Sequence, residues 1–225
     1  MRAPITVIIP TLDAADRLPA ALTALMEGLE AGLIRELIVS DGGSRDATGA
    51  MAQAWGARFI EGAPSRGGQL RRACAEARGD WFLILHADSI LQPGWSQVVE
   101  AHLGQPDKAG WFRLRFDRPG VRAGLVAGWA NLRSRLGLPY GDQGLLISAA
   151  LYARSGGYPD LPLMEDVSLA RALKGKLTGL DATILTSAEK YARQGWLRRG
   201  GRNLWTLARY FAGADAERLA ASYRR

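Results

Sequence analysis

The segment Trp81-Phe82-Leu83-Ile84-Leu85-His86-Ala87-Asp88 is an apolar run that ends at two polar side chains. A short, continuous apolar run of this kind is typical of a strand that is buried on both faces of a sheet. Two runs of the same type precede it, at Thr6-Val7-Ile8-Ile9 and Glu36-Leu37-Ile38-Val39-Ser40. The three runs therefore predict the strands of a buried, parallel sheet.

Helical segments separate these strands. After the first strand, apolar residues recur at helical spacing until Gly32, and they are Leu18, Leu22, Leu25, Met26 and Leu29. Two further helices are predicted at 47–55 and 68–77, with a short strand between them at 58–60. This alternation predicts an α/β fold with a mostly parallel central sheet and helices on both faces.

The second half of the chain is less regular. Strands are predicted at 111–116 and 144–147, and helices at 93–103, 121–136, 149–155 and 165–173. A basic, aromatic helix is predicted at 193–212. We expect one domain over residues 1–190, followed by a basic helical extension over residues 191–225.

Composition restricts the class of protein and its partners. The 225 residues include 29 Lys and Arg against 22 Asp and Glu, and the pI is about 10.0. This balance favours acidic partners such as nucleotide phosphates, anionic lipid or nucleic acid. The single cysteine, Cys74, excludes an intrachain disulfide and a Cys-rich zinc site. No leader-like segment or apolar run of about 20 residues is found, so a cytoplasmic protein is expected.

Polar residues follow the first three long strands. They are Pro10-Thr11-Leu12-Asp13, Ser40-Asp41-Gly42-Gly43-Ser44 and His86-Ala87-Asp88. Ligands of such sheets bind outside the carboxyl ends of the strands, so all three segments are candidates for nucleotide binding. Asp41 could accept a hydrogen bond from a base or a ribose hydroxyl, and Gly42 allows close backbone approach. The alternative is that Asp41–Ser44 is only a capped turn between a strand and a helix.

Asp88 is the candidate metal ligand, because Mg²⁺ and Mn²⁺ prefer hard oxygen donors such as carboxylates. The alternative is a helix cap or a local turn. His86 lies on the same side of the strand as Asp88 by the two-residue period. It could contact a phosphate, support the metal or do neither.

Ser65-Arg66-Gly67-Gly68-Gln69 begins a predicted helix. A helix N-terminus preceded by Arg66 and Gly67 suits an anionic diphosphate or a base–ribose unit. The alternative is a solvated, basic helix start.

Glu165-Asp166 lies in the first turn of another predicted helix. An acceptor hydroxyl needs a carboxylate to take its proton, and this pair could supply it. The alternative is that both acids only complement the helix dipole.

Arginines are interleaved with tryptophan and other apolar residues over 193–211. This pattern indicates either a membrane-surface helix or a packing helix with a solvated basic face. An arginine from this helix could also fold back onto a diphosphate.

Four segments in order resemble the motifs of family 2 glycosyltransferases, which have the GT-A fold. They are Ile8–Asp13, Val39–Asp46, Leu85–Asp88 and Met164–Asp166. Two further segments, Arg66–Gln69 and Leu161–Asp166, resemble a small bacterial branch. Its members are labelled arsenosugar-type or "transferase 2, rSAM/selenodomain-associated".

The resemblance implies that Thr11, Leu12 and Asp41 line a nucleotide pocket. Asp88 would be the metal-binding acid of the family's DXD motif, and Asp166 the general base with Glu165 beside it. The implied reaction is an inverting transfer from a nucleotide-diphosphate sugar to an acceptor hydroxyl, assisted by Mg²⁺ or Mn²⁺.

Two departures from the family pattern bear on this implication. His86 replaces the first acid of DXD, which suggests a more weakly held metal. Leu12 replaces the aromatic residue that often stacks on the base, so the base stays open. Residues 1–103 would form the nucleotide-binding half and residues 104–190 the acceptor half.

Two other functions compete with this interpretation. A sugar nucleotidyltransferase would release pyrophosphate, but the Gly-rich, Lys-containing loop that such enzymes carry near the first strand is missing. A non-catalytic basic module would bind nucleic acid or the inner face of a membrane through the Arg/Trp segment. No segment resembles a nucleic-acid motif, so no nucleic acid partner is expected. No G-x-G-x-x-G follows the first strand, which argues against a dinucleotide-binding dehydrogenase.

Overall fold

The computed structural model describes residues 3–224. The outermost residues of the predicted domain ranges, at 1–2 and 225, lie outside this part. Within it, the chain forms an eight-stranded sheet with the strand order β3-β2-β1-β4-β7-β6-β8-β5. The strands are β1 (Ile5–Thr11), β2 (Ile34–Asp41), β3 (Arg58–Glu61), β4 (Trp81–Ile84), β5 (Ile90–Leu91), β6 (Ala109–Phe116), β7 (Leu145–Ser148) and β8 (Leu177–Thr186).

Helices cover both faces of this sheet. In chain order they are α1 (Leu18–Glu30), α2 (Thr48–Ala54), α3 (Arg66–Glu76), α4 (Trp95–His102), α5 (Val121–Arg135), α6 (Ala149–Arg154), α7 (Glu165–Ala172), α8 (Glu189–Gln194), α9 (Trp196–Phe211) and α10 (Ala216–Arg224). A 3₁₀ turn at Gly141–Gln143 precedes β7. The predicted α/β class, with a mostly parallel sheet between helices, is confirmed.

The two faces of strand β1 pack into two different hydrophobic clusters. Its alternate side chains Val7 and Ile9 join a cluster with Leu22 of α1 and Trp95 of α4. Ile8 points to the opposite face, into a cluster with residues of α3, α6 and α7. A continuous apolar run is required here because both faces of the strand are covered.

The first half of the sheet is parallel, as predicted. Strand β1 pairs in parallel with β2 and β4, and β2 pairs in parallel with β3. The carboxyl ends of β1, β2 and β4 therefore lie side by side. The three polar segments that follow them are brought to one edge of the sheet.

The second half contains antiparallel pairs that the sequence pattern did not reveal. Strand β7 runs antiparallel to β4, with Ile84 opposite Leu145 and Trp81 opposite Ser148. This pairing places the 3₁₀ turn before β7 beside the carboxyl end of β4. Residues from far along the chain thus reach the same edge of the sheet.

Strand β8 is absent from the sequence-based prediction, although it is ten residues long. Its segment Leu177–Thr186 holds three threonines, a glycine and an aspartate, so the apolar run is broken. Its parallel partner β6 supplies the hydrogen bonds that the local pattern does not indicate. Tertiary pairing commonly overrides weak strand propensity.

The predicted basic helix at 193–212 corresponds to α9, and its first two residues instead end the separate helix α8. Gly195, with φ 84°, separates α8 from α9. The expected boundary between residues 190 and 191 falls inside α8. Helix α10 was not predicted.

Candidate active site

A cavity of about 530 Å³ lies at the carboxyl ends of the parallel strands. Predicted site residues from three of the four motifs line it, together with Arg66: Pro10, Thr11, Leu12, Asp13, His86, Ala87, Asp88, Glu165 and Asp166. Asp41, Gly42 and Gly67, which were also predicted to bind nucleotide, do not line it. The cavity is large enough for a ligand of nucleotide size.

Asp41 is a buried carboxylate whose hydrogen-bonding capacity is used within the protein. It accepts hydrogen bonds from the Thr11 hydroxyl (2.7 Å) and the Ser44 hydroxyl (2.6 Å). The backbone N–H groups of Gly43 (2.8 Å) and Ser44 (2.6 Å) also donate to it. Burial opposes ionisation, but these hydrogen bonds outweigh it and hold the pKa of Asp41 below its ordinary 3.8. A ligand would have to share these lone pairs.

Further acids connect the loop after β1 to the loop after β2. Asp13 accepts from the N–H of Arg45 at 2.8 Å, and its own N–H donates to the Ser44 hydroxyl at 2.8 Å. Asp46 accepts from the N–H of Ala15 at 3.0 Å and from the Thr48 hydroxyl. The main role of the second motif, Val39–Asp46, in the fold is therefore to tie the loop after β1 to the loop after β2.

The start of α3 is held by close backbone packing. Ser65 caps the helix, accepting from the N–H of Gly68 at 3.3 Å. A methyl group at Gly67 would lie 2.1 Å from the carbonyl oxygen of Pro159, so only glycine fits this position. Gln69 donates from Nε2 to the carbonyl oxygens of Thr11 (2.7 Å) and Ser40 (2.8 Å). Gly67 therefore has a packing role that the sequence did not reveal.

His86 faces the 3₁₀ turn and is electrically neutral at ordinary pH. Burial, followed by the positive charges of Arg66 and Lys190, holds its pKa well below 6.5. A methyl group on Gly141 would lie 2.5 Å from Nε2 of His86. The histidine therefore packs closely against the turn and does not bring a positive charge to the cavity.

Glu165 and Asp166 begin α7 at a strained backbone position. Met164, which precedes them, has φ 69°, a left-handed conformation that costs a non-glycine residue free energy. Asp166 Oδ2 accepts from the N–H of Gly141 at 2.7 Å. This bond fixes the Asp166 carboxylate beside the turn that His86 contacts.

Glu165 differs from its neighbour because only 1% of its surface is exposed. Its Oε1 lies 3.6 Å from Nε of Arg66, and its Oε2 has no hydrogen-bond partner within residues 3–224. Burial, followed by the negative charge of Asp166, raises the pKa of Glu165 from 4.5 to about 7, although Arg66 opposes this. Glu165 is thus a carboxyl group that can hold a proton near neutral pH.

Asp142 is a site residue that sequence reasoning did not single out. It lies in the 3₁₀ turn and lines the cavity, and its buried Oδ1 has no partner among the described residues. Burial raises its pKa to about 6, assisted by the charges of Asp166 and Asp88 and opposed by those of Arg133 and Arg66. The sequence signal that could have found Asp142 is the polar segment Gly141–Gln143 directly before the buried strand β7.

Cationic side chains balance these acids. Arg17, Arg66, Lys190 and Arg199 all line the cavity. Burial lowers the pKa of Lys190, and the charges of Arg66, Arg199 and Arg17 lower it further against the pull of Asp88. Arg199 lies on α9, so an arginine of the basic segment does reach the cavity. Arg17 and Lys190 were not predicted.

The donor set for a divalent cation is incomplete without a ligand. Among residues 3–224, no group of three or more His, Cys, Asp or Glu side chains could hold a metal alone. Asp88 lines the cavity, and the unpartnered Oδ1 of Asp142 is a second hard oxygen in the same cavity. Mg²⁺ is usually bound by one or two carboxylates together with substrate phosphates. The residues fit an ion that is shared with a diphosphate.

Comparisons with known proteins identify the family of the chain. Residues 6–144 match the model of Glycosyl transferase family 2. A TPR repeat-containing protein of Synechococcus elongatus is 34% identical over 106 residues, which cover 46% of this chain and 25% of that protein. Glucosyl-3-phosphoglycerate synthase of Mycolicibacterium paratuberculosis is 35% identical over 95 residues, which cover 38% of this chain and 29% of the synthase. The matches therefore span less than a third of these curated relatives.

A solved structure extends the similarity to nearly the whole fold. The mannosyltransferase PcManGT from Pyrobaculum calidifontis, in complex with GDP-Man and Mn²⁺, has a TM-score of 0.68 to this structure. The alignment covers 96% of this chain and 66% of that one, at 18% sequence identity. Identity this low shows a shared fold, and the family model covers more than half of the chain. The chain belongs to glycosyl transferase family 2.

Proposed function

We propose that this protein transfers a sugar from a nucleotide-diphosphate donor to an acceptor hydroxyl, with inversion at the anomeric carbon. One observation carries the proposal: the carboxylates of Asp88 and Asp166 share a single cavity with the cationic groups of Arg66 and Lys190. A transfer of this kind needs a carboxylate to take a proton and positive charge to stabilise a leaving diphosphate. Membership of family 2 supports the same reaction.

In the proposed reaction, the acceptor oxygen forms a bond to the anomeric carbon as the bond from that carbon to the diphosphate breaks. The electron pair of the broken bond leaves with the nucleoside diphosphate. Asp166 takes the proton of the acceptor hydroxyl, and the bond from the Gly141 N–H holds its carboxylate in position. Arg66, Lys190 and Arg199 supply positive charge to the leaving group.

Asp88 would hold a Mg²⁺ or Mn²⁺ together with oxygens of the donor diphosphate. When bound, such an ion acts as a Lewis acid on the leaving diphosphate. Neutral His86 would accept or donate one hydrogen bond there without repelling the cation. Glu165 would keep Arg66 oriented, since their side chains lie 3.6 Å apart.

The comparisons support a class of donor. A relative named glucosyl-3-phosphoglycerate synthase and a structure solved with GDP-Man and Mn²⁺ support a sugar nucleotide and a divalent ion. The segments Arg66–Gln69 and Leu161–Asp166 support the small bacterial branch named above. Residues 1–103 would bind the donor and residues 104–190 the acceptor.

A thermal-shift panel of UDP, GDP, CDP, dTDP and ADP, each with and without Mn²⁺, tests the proposal. We expect one or two of them to raise the melting temperature in the presence of Mn²⁺. Asp88→Ala should abolish the shift, whereas Asp181→Asn, an exposed acid of β8 outside the cavity, should keep it. No shift with any nucleotide would overturn the proposal.

The product distinguishes the main alternative. A nucleotidyltransferase would release pyrophosphate, whereas the proposed reaction releases the nucleoside diphosphate identified by the panel. Pyrophosphate release from a nucleoside triphosphate and a sugar phosphate would replace the transferase assignment.

A further inference from the structure

Helix α5 packs against the protein through its small residues and exposes its large apolar residues to solvent. Ala127 and Ala130 are buried against Leu114 of β6, with Phe116 beside them. The opposite side exposes Val121, Leu125, Trp129, Leu132 and Leu136. Leu125, for example, is 69% exposed. A helix that packs only for stability would point these side chains toward the core.

Helix α9 has two sides with different neighbours. Arg199, Asn203 and Thr206 recur at helical spacing and line the cavity. The other side exposes Leu197, Leu204, Trp205 and Phe211, and Leu197 is 83% exposed. The helix therefore separates the cavity from an apolar outer stripe.

The two helices are neighbours. Helix α5 contacts α9 directly. Phe116, which packs under α5, meets the ring of Trp196 at the start of α9 with their centroids 5.0 Å apart. We call the two exposed stripes together the outer apolar surface.

We propose that the outer apolar surface docks on an anionic phospholipid bilayer. The exposed arginines Arg122 and Arg135 of α5 and Arg198 of α9 accompany these stripes, whereas Arg133 turns inward onto Tyr140 and Arg199 lines the cavity. Neither helix contains an aspartate or a glutamate. Leucine and tryptophan flanked by arginine are the side chains that enter the interface of a membrane with acidic headgroups. A second copy of this chain would instead bring two sets of like charges together.

The surface would lie in the bilayer interface and not across the bilayer. Among residues 3–224, no helix is both long enough and apolar enough to span a membrane. Because α9 also lines the cavity, a docked protein would hold its cavity next to lipid headgroups. The acceptor would then be a lipid-carried hydroxyl, a step that rests on the proposed function whereas the docking does not.

Sedimentation with lipid vesicles tests the docking without any enzymatic activity. We expect the whole protein to bind vesicles with about 30 mol% phosphatidylglycerol at least about tenfold more tightly than pure phosphatidylcholine vesicles, and to be released by about 0.5 M salt. Leu125→Glu with Leu197→Glu should weaken binding at least about tenfold, because two charges would enter the interface. Leu29→Glu, an exposed leucine of α1, is the matched control and should bind like the wild type.

A second pair of variants separates charge from apolar contact. Arg122→Gln with Arg198→Gln should lower affinity for anionic vesicles about tenfold or more, since each arginine near the surface strengthens binding about fivefold. The same pair should leave weak binding to phosphatidylcholine unchanged. Trp129 and Trp205 should give a blue-shifted fluorescence on binding, reduced in Trp129→Phe with Trp205→Phe.

Three outcomes would overturn the docking proposal. They are no binding to anionic vesicles, equal binding by the double glutamate variant, and a dimer in solution that this variant breaks. The thermal-shift panel reports on the nucleotide site separately. A protein that binds nucleotide but no vesicles would retain the proposed function and lose the membrane surface.

Discussion

The carboxylates after β1 and β2 and those around α7 lie at the same edge of the sheet but in opposite conditions. Asp41 is buried with four donors, and its pKa is lowered. Glu165 and Asp142 are each left with a buried oxygen that has no partner in the described part of the chain, and their pKa values are raised. We call Asp41 the satisfied group, because its hydrogen bonds are made within the protein. We call Glu165 and Asp142 the unsatisfied group, because each can accept a further hydrogen bond or coordinate an ion.

The contrast separates the acids that stabilise the fold from those that could bind a ligand. A buried polar atom without a partner costs stability, so a folded protein retains one mainly where something else can bind it. The satisfied group holds two loops together. The two unsatisfied acids, Glu165 and Asp142, both interact electrostatically with Arg66. The charge of Arg66 also acts on Asp88 and Asp166.

The largest expected effect is on the rate of the proposed reaction. Asp166→Asn should lower nucleoside diphosphate release in the presence of acceptor by about 10²–10⁴, because the proton acceptor is lost. The melting temperature should change little, since an amide oxygen can still accept from the Gly141 N–H. Unchanged turnover would remove Asp166 from the role of base, and Asp181→Asn serves as the neutral control.

Asp41→Ala should act chiefly on stability. It leaves two hydroxyls and two N–H groups without their acceptor, and we expect a loss of about 2–3 kcal/mol in the free energy of unfolding. Urea denaturation measures it. Ser44→Ala removes one of the donors and should cost about 1 kcal/mol. A loss for Asp41→Ala no larger than for Ser44→Ala would contradict the role assigned to the satisfied group.

Glu165 should give the opposite pH dependence from Asp41. Its folded pKa of about 7 exceeds its ordinary 4.5, so its contribution to stability is complete below 4.5 and is lost as pH rises through 7. The pKa of Asp41 is lowered in the folded protein, so its contribution to stability is present above its ordinary pKa of 3.8 and is lost as pH falls through the folded pKa. Glu165→Gln should flatten the decline in melting temperature between pH 4.5 and 7. A decline that persists in the variant would assign it to another group.

The smallest expected effect is on metal affinity. His86→Asp adds a second hard oxygen beside Asp88, and we expect Mn²⁺ to bind about tenfold more tightly in the presence of the nucleoside diphosphate. Isothermal titration calorimetry measures the change. His86→Asn adds no charge and is the matched control. Equal affinities for the two variants would show that residue 86 lies outside the metal shell.

Much of the first half could be predicted from the sequence because its signals are local. Buried parallel strands require continuous apolar runs, so β1, β2 and β4 were recognisable, and so were the polar segments that follow them. The acidic pair of α7 was found through its position at a helix start. Cys74, whose helix was also predicted, is buried in α3.

The remaining features depend on partners distant in the sequence. Strand β8 lacked a continuous apolar run, and Gly67 has a packing reason that becomes visible only beside Pro159. Lys190 and Arg17 reach the cavity through the order of the strands and helices. A helix was predicted over α5, but not which of its sides would face solvent.

The amino-acid sequence alone was enough to predict the α/β class of the fold, the strand ends that border the cavity, and the family. Those properties follow from the periodicity of apolar residues and from motifs of a few consecutive residues. Which acids have all their hydrogen bonds within the protein depends on donors from distant segments, so it is visible only in the folded chain. The antiparallel pairing of β4 with β7 brings Asp142 beside His86 and Asp88, and no local pattern encodes that pairing.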